Sequence, residues 1–246
     1  MKRIFSMAFF GSMLAVALSS LLFSCASTFS ISDCGPVAVI SVIGNKSVPW
    51  YDSSDEDTDD ANSVLSTAVN RLVGRGNIEF SSCENRIDYA DEAIRFGLQD
   101  IAGVEVIDKE KVVNSQQYED MHASFYNLLV STVSADGYKD LTTIGSKNSR
   151  LLMREIGAKS LMLFEFDFRK ELVKGTKWNG EVGGYIMMKV EVKDERGNAV
   201  VEKNYEIRSS STIPIKNLRY DKDELVNLLE PTIDAAVARF IVDYMN

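Results

Sequence analysis

The residues able to do chemistry are few and scattered. The 246-residue chain has one histidine, His122, so any Ser-His-Asp or Cys-His arrangement must use it. His122 stands beside Asp120 and Met121, on the polar side of an expected helix, with no nucleophile-elbow sequence around it. Asp55, Asp57 and Asp59 imitate the opening of a calcium loop. That loop needs a glycine where Asp60 stands and a bidentate glutamate where Ser66 stands, so the stretch reads as a solvated acidic loop capping a helix. Three cysteines and one histidine supply no close pair of zinc ligands, and neither a metal nor a cofactor is expected. "NGEVGG", residues 179–184, is glycine-rich but leads into a strand and lacks the Lys-Ser/Thr of a phosphate loop; it reads as a flexible hairpin loop. Glu165, Asp167, Glu191, Glu202 and Glu206 could in principle hold a glycosidase pair. Lys189, Lys193, Lys203 and Arg208 run through the same strands, and ion pairs on a wet sheet face account for most of the pattern. No catalytic residue is assigned.

Cys25 differs. Lys2 and Arg3 precede an uncharged run from Ile4 to Phe23, the plan of a secretory signal. About 20 apolar residues can also span a bilayer, but no basic stop-transfer cluster follows this run. Leu22-Phe23-Ser24-Cys25 resembles the lipobox of bacterial lipoproteins. That resemblance implies that residues 1–24 are a signal peptide removed on export, and that Cys25 takes a diacylglyceryl group and becomes residue one. The competing reading is a small buried thiol in a membrane anchor. Stable attachment takes more than one acyl chain, and bacterial lipoproteins carry three. Removing residues 1–24 from 246 leaves 222, and losing Lys2 and Arg3 moves the net charge from −9 to −11. So acidic a surface argues against nucleic acid and against electrostatic docking on anionic lipid. Cys34 and Cys83 remain; an oxidising compartment permits a disulfide between them without requiring one.

These residues need positioning elements. Residues 25–35 read as the lipidated cysteine and a short polar tether, and 36–246 as one α/β domain. "PVAVISVIG", 36–44, is a strand buried on both faces. Helices are expected over "ANSVLSTAVNRLVGRGN", capped by Asp59 or Asp60, over about 86–101, after Asp108, over about 115–134, and from Ser146 or Asn148 to Gly157. "GVEVID", 103–108, reads as a short buried strand. Two segments then alternate with period two: Met162, Phe164, Phe166 and Phe168, and Ile186, Met188, Val190 and Val192. "AVVEKNYEIR" is the return strand. Leu225, Leu228, Leu229, Ile233, Val237, Phe240, Ile241 and Tyr244 give the C-terminal helix a wide apolar stripe, with Pro231 kinking it or opening its second segment. The expected class is α/β: a layered mixed sheet with an antiparallel meander in its second half, packed by amphipathic helices including a long C-terminal one.

The order "PVAVISV", "GVEVIDKEKV", "LMREIGAKSLMLFEFDF" and "RGNAVVEKNYEI" resembles the CsgG-type curli-secretion lipoproteins and the LpoB-type activators of penicillin-binding proteins. Their α/β domain is similar to the amino-terminal domain of TolB. The resemblance covers about 36–245 and implies a non-enzymatic envelope protein: some relatives form oligomeric pores, others dock on a membrane-bound synthase. For a pore, 174–193 is the one candidate lipid-facing segment, and "VKGTKWNGEVGG" is too polar and glycine-broken for half of it. The expectation is a lipid-anchored docking module for another envelope protein, facing the periplasm. Ala26 rather than Asp after Cys25 points to the outer membrane in the gram-negative sorting pattern. A homo-oligomeric outer-membrane secretion assembly and a glycan-acting enzyme are the alternatives. Candidate contacts are Trp50 and Tyr51 in a loop over 45–54 and Trp178 in a loop over 174–184; the alternative is that each Trp packs on the sheet edge.

Overall fold

The computed structural model describes residues 29–51, 85–123 and 132–245. Val37–Asn45 form β1, and every residue from Val37 to Gly44 is buried, as the unbroken apolar run requires. β2 (Thr132–Ser134) pairs antiparallel with its end. β3 (Ser160–Gly175) lies parallel to β1 on the other side, and β4 (Asn179–Lys193) and β5 (Ala199–Lys216) add an antiparallel meander. The sheet order is β2-β1-β3-β4-β5. Pro214 is tolerated because β5 is the edge strand.

Register puts Phe164 opposite Val190 and Phe166 opposite Met188, so the alternating apolar residues share one face. Two helices cover it. α1 (Asn85–Phe96, continued by a π-helical turn Gly97–Ile101) buries Ile87, Ala90 and Ile94. Among the described residues, α2 (Lys109–Val113), α3 (Gln116–Glu119) and α4 (Ser146–Ile156) follow. The C-terminal stripe is built as α5 (Lys222–Asn227) and α6 (Leu229–Tyr244), meeting at Leu228. Asp221 caps α5 by accepting from the N–H groups of Asp223 and Glu224. Pro231 falls in the first turn of α6, where its missing N–H costs no helical bond, so it opens the second segment. Phe240 stands edge-on to Phe164 at 5.7 Å between ring centroids, and burying such a ring contributes about 1.5–3 kcal/mol. α4 ends at Gly157, whose φ of 77° lets its N–H return to the Met153 carbonyl.

On the opposite face α2, α3 and α4 cover only the β1–β3 part. Here three expectations are corrected. "GVEVID" makes one parallel bridge, Val106 to Val37, rather than a strand, because it meets β1 only at its first residue, where Val37 donates to the Glu105 carbonyl and accepts from the Ile107 N–H. The helix expected over 115–134 is the single turn α3, and 132–134 is β2; residues 124–131 lie outside those described. Both ends of α3 are held from elsewhere in the fold. Glu155 accepts from the N–H groups of Gln116 and Gln117, while Lys139 Nζ donates to the carbonyls of Tyr118, Glu119 and Met121. His122 is therefore exposed in coil, not on a helix. The third correction concerns 29–35 of the expected tether, which packs on the domain. Ile31 is fully buried and Phe29 meets Tyr244 edge-on at 5.3 Å. The helix expected within 61–74 and its cap at Asp59 or Asp60 lie outside the described residues.

One buried polar cluster ties this end together. Asp91 accepts from Arg95 at 3.1 Å, Lys109 at 3.0 Å and Tyr138 at 3.3 Å, linking α1, α2 and the loop after β2. Its carboxylate is almost wholly shielded, so its three partners replace the water it loses.

Candidate functional site

β3 and β4 extend well beyond the part of the sheet that β1 covers. Their turn, Thr176–Trp178, is short. A Cβ on Gly180 would stand 2.3 Å from the Lys174 carbonyl, so the two strands close as tightly as glycine allows. "NGEVGG" is consequently strand from Asn179 onward rather than a flexible loop. Its last glycine, Gly184, makes room for Leu229 of α6, which a Cβ would meet at 3.0 Å.

Segment 46–51 runs alongside this extension. Asn45 begins it: its side-chain oxygen accepts from the Phe168 N–H at 2.7 Å, and its amide donates to the Phe168 carbonyl at 2.9 Å. Lys170 N–H then donates to Pro49, and Tyr51 N–H to Lys170, which sets Trp50 and Tyr51 on opposite faces of the sheet.

Trp50 lies between two cations. Lys170 Nζ is 5.2 Å and Lys177 Nζ 4.9 Å from its ring, and Tyr220 stands edge-on at 6.4 Å. Lys170 is fully buried and donates to the Val48 carbonyl at 2.8 Å. Trp50 Nε1 has no hydrogen-bond partner among the described residues. On the other face Tyr51 stacks on Tyr185 at 4.4 Å, with Arg169 over Tyr51 and Arg208 over Tyr185. Arg208 donates to Glu171 at 2.8 Å, and Arg169 to Asp167 at 2.7 Å. Burial, with a hydrogen bond to Glu206, pushes the Tyr185 phenol well above its ordinary range. Trp178 projects from the turn, 57% exposed. Beside it, Leu218 donates its N–H to the Trp178 carbonyl with φ at 65°, a left-handed conformation that costs a leucine strain.

No protein-family model matches this chain, and no curated protein matches it.

The two loops expected separately thus lie at one end of the sheet. Lys177, next to Trp178 in the turn, stands over Trp50, while Tyr51 occupies the far side of the same sheet end. Sequence reading missed Lys170, Tyr185, Arg169 and Tyr220. Lys170 had a legible signal: it falls in phase with Phe166 and Phe168, so the alternation buries it. Tyr185 had a weaker one, as an aromatic out of phase with Ile186 and Met188.

The carboxylates are dispersed by comparison. Glu202 pairs with Lys189 and Glu191 with Lys193, while Lys203 leaves that face and pairs with Asp243 of α6. Burial raises the Glu165 and Asp167 carboxyls above the usual range, opposed by Lys189 and Arg169 respectively. Cys34 donates its thiol to the Ser30 carbonyl at 3.1 Å, and burial pushes that thiol up to about 11. Cys25 and Cys83 lie outside the described residues, and so does any bridge from Cys34 to Cys83. The acidic loop with Asp55, Asp57 and Asp59 lies outside them too. Among the described residues no group of three His, Cys, Asp or Glu is placed to hold a metal ion, and no helix is long and apolar enough to cross a membrane.

Proposed function

We propose that this protein is a lipid-anchored, non-enzymatic docking module of the bacterial cell envelope, held on the membrane by acylated Cys25 and facing the periplasm. Its partner is another envelope protein, engaged through the end of the β3–β4 hairpin. The observation that carries the docking role is the composition of that end: Trp50, Trp178, Tyr51 and Tyr185 interleaved with Lys170, Lys177, Arg169 and Arg208. Tyr, Trp and Arg dominate binding hot spots because each brings large contact area at modest entropic cost and a polar group to orient it. Such a surface offers both contact area and placed charge.

The molecule's polarity supports the same reading. β3 begins beside Cys34, whose carbonyl accepts from Ser160 Oγ at 2.8 Å. Sixteen residues later it reaches the turn, roughly 50 Å away at about 3.3 Å per residue. The docking end is thus held far from the tether, in position to meet a partner away from the bilayer.

A photoreactive residue in place of Trp178 tests this in cells, with one at exposed Asn204 of β5 as control. The expected result is a discrete adduct with one envelope protein at 178 and none at 204. Equal adducts at both positions, or none at 178, would overturn the docking end. An adduct only with a second copy of this chain would favour the homo-oligomeric secretion assembly instead.

A further inference from the structure

The pole opposite the hairpin carries a second exposed apolar surface of different chemistry. α1 and α6 leave a groove of about 440 Å³ between them, lined by Phe96, Gly97, Ile101, Val237 and Ala238 at one end. Phe96 is 59% exposed and Ile101 47%. Ala238, Val242 and Met245 follow at i, i+4 and i+7, so they form one stripe along the same side of α6. Val242 is 63% exposed, the highest value for any large apolar side chain described. The π-helical turn Gly97–Ile101 widens α1 where it meets α6 and turns Ile101 outward. Glu92 and Asp234 line the other end of the groove, where Tyr89 donates to Asp234 at 2.8 Å; Asp100 and Asp243 flank the stripe at the surface, and Asp243 is paired with Lys203.

The chain's path says what covers the stripe. Phe29 packs on Tyr244, and Ser30 Oγ donates to the Tyr244 carbonyl, so the chain enters the fold at the C-terminal end of α6. Only Ala26, Ser27 and Thr28 separate Phe29 from Cys25. Four residue steps reach at most about 14 Å when fully extended. A lipidated cysteine lies at the headgroup level, so that length holds the end of α6 against the bilayer surface.

We propose that the Phe96, Ile101, Val242 and Met245 stripe rests in the lipid interface and sets the domain's orientation, with the hairpin pointing away. This rests on the acylated-Cys25 reading above. The contact is apolar, since the protein is acidic, and a shallow apolar insertion beside an acyl anchor adds a second membrane signal. It also fixes the tilt that a flexible anchor alone would leave free.

The test uses the full chain, matured and extracted in its membrane form, then placed in phosphatidylcholine vesicles with or without dibrominated acyl chains. Phe96→Trp and Val242→Trp each add an indole at an exposed site, so neither disturbs the core. Native Trp50 and Trp178 set the wild-type baseline. The expected result is an acyl mass on Cys25, vesicle binding, and loss of most of the added emission in brominated lipid for both variants, with the wild-type emission unchanged. Acylated, vesicle-bound variants whose added indoles stay unquenched would overturn the resting face alone and hand the groove to a protein partner. A chain without acyl mass would overturn the anchor and the resting face together.

Discussion

The two poles of this molecule both expose large apolar side chains, and they expose them differently. At the base, Phe96, Ile101, Val242 and Met245 stand on helices, and among the described residues no aromatic–cation contact is built on them. At the hairpin end, Trp178, Val173 and Leu218 are exposed beside Trp50, Tyr51 and Tyr185, whose rings are faced by Lys170, Lys177, Arg169 and Arg208. A lipid interface rewards apolar area and needs no orientation. A protein partner rewards aromatic rings with charges placed on them, because those fix register as well as energy. On the proposed reading, that contrast separates anchoring from recognition within one fold.

The poles also differ in what holds them, and substitutions can break or sharpen that difference. Asp91→Ala at the base should cost most, about 3 kcal/mol, because half-buried Arg95 and Lys109 would lose the buried carboxylate that pairs them. Urea unfolding of the detergent-solubilised protein measures it. A loss below 1 kcal/mol, on the ~1 kcal/mol scale of an ordinary substitution, would mean the cluster is not what fastens α1 to α2. Lys170→Ala comes next, at about 2–3 kcal/mol, since it opens space under Trp50 and leaves the Val48 carbonyl without its donor. Unlike Asp91→Ala, it should also weaken the crosslink at 178. Lys139→Met should cost about 1–2 kcal/mol by freeing the carbonyls at the end of α3, and leave the crosslink intact. Glu165→Gln should change stability least among the buried sites and with opposite sign. Burial raises the Glu165 carboxyl, so its stabilising, protonated form is fully present below the unfolded value of about 4.3. Stability falls as pH rises through the folded value, and the variant should remove part of that fall. A variant less stable than wild type at pH 7 would show that Lys189 outweighs burial. Trp178→Ala should stay within about 0.5 kcal/mol of wild type while abolishing partner binding.

How much of this was legible depended on whether the deciding partner was close in sequence. The buried run of β1, the alternation of β3 and β4, Gly157 after α4 and the stripe of α6 are each determined within their own segments, and each formed as expected. The helix expected over 115–134 failed because Glu155 and Lys139 hold the two ends of α3, and neither lies within the segment they control. "NGEVGG" looked flexible because its glycines suit loops; here they admit a close strand crossing and Leu229 of α6, which no local pattern reveals. Ile31 and Phe29 looked like tether because a few apolar residues among serines carry no period, and only their contact with α6 shows them as fold. At the candidate site, the three aromatic residues chosen from sequence lie at one sheet end. Lys170 and Tyr185 are each marked by the alternation of their strands, Lys170 in phase with the buried phenylalanines and Tyr185 out of phase with Ile186 and Met188, but their partners Trp50 and Tyr51 lie far off in sequence.

The measurement that tests the account most directly is the native mass of the full chain extracted in detergent, with the mass on its first residue read in the same experiment. The account predicts a chain that begins at Cys25, carries acyl groups there, and runs as a monomer free to dock. A discrete ring-sized oligomer would contradict the docking module in favour of an assembly, and a chain lacking acyl mass at Cys25 would contradict the anchor on which both poles depend.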